Sequence, residues 1–184
     1  CPIEHEVPVV NGVMKIFAGR SHPGLAEEIC RFLDVPLGAK EVIQFSNENL
    51  MVKINENVRG ADVFVVQTSC PPIHSGIMEL LITIDALKHA SAGRITAVVP
   101  YFPYVRSDKK DKPRISITAR LLADLLQTAG ADRVVTMDLH APQIAGFFRI
   151  PVDHLQVTPL LADYLRKRDL SDAVLVAGDA GEAK

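Results

Sequence analysis

Short runs of β-branched and aliphatic residues recur at 14–18, 41–45, 62–67, 94–100, 133–138 and 173–177, and they limit the fold more than any other feature of the chain. Most of these runs lack strict polar alternation. Strands of this kind lose both faces to the interior, which is the situation of a parallel sheet covered by helices. The segments between them carry helical period instead: Ile77, Leu80, Leu81, Ile84 and Leu87 form one apolar stripe, and Leu122, Leu125, Leu126 and Ala129 another. A shorter stretch places Leu25, Ile29, Phe32 and Leu33 on one face, with Ser21 and Pro23 as start signals. Residues 160–165 give a weaker helix. The fold class that follows is α/β, a mostly parallel sheet flanked by helices. The run at 49–54 alternates more and follows 41–45 closely, so this pair reads as an antiparallel hairpin at the sheet margin.

Composition narrows the partners. With 184 residues, 48% hydrophobic and 23% charged, the chain can bury a sizeable core and is neither fibrous nor disordered. A formal net charge of −2 gives no global attraction to nucleic acid or an anionic membrane, so any anion site must be local. There is no Arg-rich stripe interleaved with aromatics, and no apolar run of the roughly 18 to 20 residues that would cross a bilayer. The expectation is a protein without nucleic-acid or membrane partners. The 3 cysteines are odd in number and widely spaced, which favours a reducing, cytoplasmic setting over a disulfide framework.

In open parallel sheets ligands gather beyond the carboxyl ends of the strands. Residues at such ends are Arg20, the 67–69 turn, the basic loop 104–114, Asp138-Leu139-His140 and Asp179. The basic loop holds Arg106, Lys109, Lys110, Lys112 and Arg114 against only Asp108 and Asp111. Guanidinium forks and mobile ammonium groups together suit a polyphosphate, while a solvated surface loop is the competing reading. If the strand continues, Asp138 and His140 project to the same side. His140 then suits metal binding or acid–base work, and Asp138 either joins it, orients it or caps the following turn. His5, His22, His74, His89 and His154 lack such a setting and read as surface or core residues. Phe45 closes a strand and is either a stacking platform or a core residue. No glycine-rich dinucleotide fingerprint and no Walker-type lysine loop is present.

Taken together, Phe45-Ser46-Asn47, Ile54-Asn55-Glu56-Asn57-Val58-Arg59-Gly60, Pro100-Tyr101-Phe102-Pro103-Tyr104, Arg106 with Asp108-Lys109-Lys110, Asp138-Leu139-His140-Ala141 and Gln143-Ile144-Ala145-Gly146-Phe147-Phe148 resemble ribose-phosphate pyrophosphokinase, the phosphoribosyl pyrophosphate synthetase family. The resemblance runs over nearly the whole chain from Met14. It implies a phosphoribosyltransferase-like fold and transfer of the diphosphoryl group of Mg-ATP to the 1-hydroxyl of ribose 5-phosphate, with release of AMP. It also implies Mg²⁺ at His140 and Asp179, and ATP contacts from Phe45, Asn47, Arg106, Ser107 and Asp108. Phe45 and Asn47 would act in the site of a neighbouring subunit of a homo-oligomer. Ser107 stands where the family usually carries glutamine, Asn49 where it carries glutamate, and Glu182 where it carries glycine. By the same resemblance, 1–13 is an extension, 14–160 a first domain and 161–184 the start of a second similar domain. A non-catalytic associated subunit of the family is the competing expectation. Arg106, His140 and Asp179 favour the enzyme.

Overall fold

The computed structural model of the chain describes residues 10–174 and 176–178. The elements run β1 (Met14–Ala18), α1 (Pro23–Leu33), β2 (Lys40–Gln44), β3 (Leu50–Ile54), β4 (Asp62–Val66), α2 (Ile73–His89), β5 (Arg94–Val98), α3 (Thr118–Ala129), β6 (Arg133–Met137), a 3₁₀ turn (Pro142–Phe147), β7 (Val152–Leu155) and α4 (Thr158–Arg166). Five strands form one sheet in the order β1-β4-β5-β6-β7. Every pairing in it is parallel. Its carboxyl ends therefore all lie along one edge, and the polar residues that follow the strands collect there.

Helix α2, helix α3 and the 3₁₀ turn cover one face. Val63, Val65, Ile95, Ala97 and Val134 pack there against Leu80, Ile84, Leu87, Leu122, Leu126 and Ile144. Helix α1 covers part of the other face, where Ala26 and Cys30 meet Ile16 and Val66. Of the face expected from Leu25, Ile29, Phe32 and Leu33, Leu25 and Ile29 pack against this cluster, while its most buried positions lie one residue further along. Small residues allow closer approach to the sheet, so Ala26 and Cys30 become its centre. A step of about 100° per residue then turns Phe32 away, and it is 89% exposed. His22, rather than Ser21, caps this helix: its Nδ1 accepts the Leu25 N–H at 3.1 Å.

Strands β2 and β3 form the expected antiparallel hairpin, but as a separate two-stranded sheet and not on the margin of the main one. Strand β7 was not evident in the sequence, because Val-Asp-His-Leu carries only two apolar residues. Parallel pairing with β6 supplies what its composition does not. The strand expected at 173–177 does not form among the described residues. Val174 and Val176 are exposed, and Leu175 lies outside the described residues.

Candidate functional site

The loop between β5 and α3 has a buried root and a charged tip. Phe102 and Val105 are core residues, and Phe102 meets Phe148 edge to face with ring centroids 5.4 Å apart. The charged residues of the loop all follow Val105. Between these anchors, Tyr104 has a positive φ of 56°, and its hydroxyl lies 3.0 Å from His74 Nδ1 on α2. A non-glycine residue in the left-handed region is strained and needs surrounding contacts to hold it. Arg106 thus emerges from a fixed root.

Tyr104, Arg106, Ser107, Lys109, Asp111 and Ile115 line one concavity of about 310 Å³. Arg106, Lys109, Lys110, Lys112 and Arg114 form no salt bridge among the described residues, so their charge is available to an anion. Asp108 Oδ1 is buried and has no hydrogen-bond donor among the described residues. A buried carboxylate oxygen without a donor is costly and marks a place for a ligand donor. Unpaired cations beside a concavity are what a polyphosphate site would need. Ser107 differs from its neighbours: its hydroxyl donates to Ser116 O at 3.1 Å and accepts the Thr118 N–H at 3.2 Å.

His140 stands at the end of the adjacent strand. Val99 N–H donates to Val135 O and Met137 N–H donates to Pro100 O at 3.0 Å, so the start of the β5–α3 connection is bonded to the last residue of β6. The strand does not persist to His140, however. Asp138 takes φ 40°, and its carboxylate accepts the Val157 N–H at 3.3 Å. Asp138 caps the turn before α4 and does not share a strand face with His140. Buried Leu139 sends its N–H to His154 Nε2 at 2.9 Å, and His140 remains exposed. His154 is therefore a support of this loop, which its lone position in the sequence did not signal.

Phe45 and Asn47 occupy the turn between β2 and β3. Phe45 N–H donates to Asn49 O at 2.9 Å, and Asn47 Oδ1 accepts the Asn49 N–H at 3.2 Å. Phe45 is 49% exposed, which overturns its reading as a core residue. Neither residue lines the Arg106 concavity. Asp179 lies outside the described residues. No group of three or more His, Cys, Asp or Glu suited to a metal occurs among the described residues. The donor they offer beyond β6 is one exposed imidazole, a nitrogen ligand, so an oxygen-seeking cation there would take its other ligands from a bound phosphate and water.

Arg20 proves to be an ion-pair partner. Its Nε donates to Glu79 Oε2 at 2.9 Å, while Lys40 Nζ donates to Glu79 Oε1 at 2.8 Å. Burial pushes the Glu79 pKa up, but hydrogen bonds and charge from Lys40 and Arg20 outweigh it and hold the carboxyl below its ordinary value. Next to it, buried Gln67 accepts the Ser21 N–H at 3.1 Å and donates to Gly76 O at 3.0 Å. Gly19 makes room for this side chain, since a Cβ there would stand 1.8 Å from Gln67 Oε1. The polar groups of this corner pair with one another, and Arg20, Ser21, Gly76 and Glu79 line a concavity of about 240 Å³ beside them.

Comparison with known proteins places the chain in a family. Residues 14–130 match the N-terminal domain of ribose phosphate pyrophosphokinase. Ribose-phosphate pyrophosphokinase of Clostridium perfringens (strain 13 / Type A) is 57% identical over 171 residues, covering 91% of this chain and 54% of the relative. Ribose-phosphate pyrophosphokinase 2 of Schizosaccharomyces pombe is 52% identical over 174 residues, 93% of this chain and 54% of that protein. The crystal structure of phosphoribosylpyrophosphate synthetase from Mycobacterium smegmatis superposes with a TM-score of 0.84 at 49% identity, over 87% of this chain and 53% of that one. The chain spans about half the length of the curated relatives it matches. With its parallel sheet, its buried-root basic loop and this match over most of the described residues, the chain belongs to the family of the N-terminal domain of ribose phosphate pyrophosphokinase.

Proposed function

We propose that this chain supplies the nucleotide-binding part of a ribose-phosphate diphosphokinase. The hydroxyl oxygen on C1 of ribose 5-phosphate attacks the β-phosphorus of ATP, and the bond from that phosphorus to the oxygen shared with the α-phosphorus breaks. The products are 5-phosphoribosyl 1-diphosphate and AMP, and the hydroxyl proton passes to solvent. The observation that carries this reading is the concavity holding Arg106 and Lys109, in a loop that is hydrogen-bonded through Pro100 to Met137, the last residue of the strand that precedes the His140 loop.

Such a transfer is governed by charge neutralisation and alignment. In this reading Arg106 grips phosphate oxygens with its fork, Lys109 and Lys110 add mobile positive charge, and Asp108 offers its free oxygen to a donor on the nucleotide. His140, with Asp179, would hold Mg²⁺, which when bound neutralises the triphosphate and polarises the transferred group. Phe45 and Asn47 sit on an exposed turn away from the Arg106 concavity, which supports contact with the adenine of a neighbouring subunit in a homo-oligomer. We assign 1–13 to an extension, 14–160 to the first domain and 161–184 to the start of a second, and place the enzyme in the cytoplasm. Among the described residues no helix is long and apolar enough to cross a membrane.

The test is a product assay on the complete enzyme with Mg-ATP and ribose 5-phosphate. AMP and phosphoribosyl diphosphate are expected in equal amounts, and His140→Ala is expected to lower turnover at least about tenfold, roughly 1.4 kcal/mol of transition-state stabilisation. Unchanged turnover in that variant contradicts the assignment. Mg-ATP binding with no AMP release would indicate an associated, non-catalytic subunit.

A further inference from the structure

We propose that Ser107 is a positioning residue that fastens the two ends of the basic loop together and thereby holds Arg106 in place for the nucleotide. This rests on the function proposed above and departs from the direct ATP contact that the family resemblance implies for position 107. Helix α3 begins without a cap of its own, because its N-cap residue is Ile117, whose side chain has no acceptor. The first N–H groups of a helix require partners. Here they come from across the loop: Ser107 Oγ accepts the Thr118 N–H at 3.2 Å, and Ser107 O accepts the Ala119 N–H at 3.2 Å.

The same hydroxyl gives its one proton to Ser116 O at 3.1 Å, with Thr118 Oγ1 at 3.3 Å as a second neighbour. On the near side, Ser107 N–H donates to Tyr104 O at 2.9 Å, closing a turn around Arg106. One small residue thus joins the strained root at Tyr104, the charged tip and the start of α3. A hydroxyl engaged in these bonds has little left for a ligand, although the residue lines the concavity. Its value to nucleotide binding is conformational: a binding-competent loop that is only partly populated weakens apparent affinity by that fraction.

The loop carries its own reporter. Lys109, Lys110 and Arg114 are exposed trypsin sites within the fastened segment, whereas Lys112 precedes Pro113 and resists cleavage. Ser107→Ala removes the side-chain cap and is expected to raise the rate of tryptic cutting at these sites about fivefold, the usual size of a lost cap. Calorimetric titration with Mg-ATP is expected to show affinity reduced by up to the same factor. Ser107→Thr keeps the hydroxyl and is expected to restore both. Equal cutting of wild type and Ser107→Ala overturns the fastening. Faster cutting with unchanged Mg-ATP affinity overturns the positioning role and leaves a purely structural cap. If the wild-type chain binds no Mg-ATP, the proposed function and the positioning role both fall, and the cutting rates still decide whether the fastening exists.

Discussion

His154 Nε2 accepts the Leu139 N–H at 2.9 Å, so strand β7 holds the loop that presents His140. The bond places the His154 proton on Nδ1 and leaves Nε2 as acceptor. Replacing it by His154→Phe keeps a ring of similar bulk but leaves the N–H of Leu139, a residue only 7% exposed, without its partner. An orphaned buried donor costs about 1 to 3 kcal/mol. Urea denaturation should show a loss of that size, and titration with Mg-ATP should show weaker binding as the His140 loop shifts. Unchanged stability would show that water replaces the imidazole without loss.

Glu79 and Lys40 make the second testable pair. The folded-state pKa of Glu79 is lowered, so its ionised form stabilises the fold above the ordinary carboxylate value of about 4.3, and that contribution is lost as pH falls through the folded pKa. Denaturation midpoints should therefore drop on the acid side. Glu79→Gln should remove part of that drop and destabilise the protein near neutral pH, by about 3 to 5 kcal/mol, because Lys40 is left buried without its anion. A variant as stable as wild type at pH 7 would show that the pair relaxes toward solvent.

Phe102→Ala tests the buried root of the basic loop. The ring is 1% exposed, and truncation of a buried phenylalanine costs about 3 to 5 kcal/mol. Chemical denaturation measures the loss directly. Mg-ATP affinity should fall as well, since Arg106 depends on this anchor. If stability falls while affinity stays, the root does not set the position of Arg106.

What the sequence disclosed follows from where the information lay. Strands β1, β4, β5 and β6 and helices α2 and α3 are long apolar patterns whose period is intrinsic, and they were legible. Strand β7 was not, because its stability comes from its neighbour β6, and neither were the most buried positions of α1, which close packing of Ala26 and Cys30 decides. In the site, charge density singled out Arg106 and the strand end singled out His140. The roles of Ser107, His154 and Glu79 depend on contacts across 9 to 59 positions of sequence, to which local pattern is blind. A shared face for Asp138 and His140 needs the strand to run on to His140, and it ends three residues earlier, at Met137.

The central claim is that the Arg106 concavity binds the triphosphate of Mg-ATP, and calorimetric titration of the chain and its Arg106→Ala variant tests it most directly. Charge-assisted hydrogen bonds of this kind contribute about 1.5 to 3 kcal/mol, so the variant should bind roughly 10 to 150 times more weakly at unchanged fold stability. A single saturable site in the wild type, weakened by that factor in Arg106→Ala, is the result predicted. Equal affinity in the two proteins, or no saturable binding in the wild type, would contradict it.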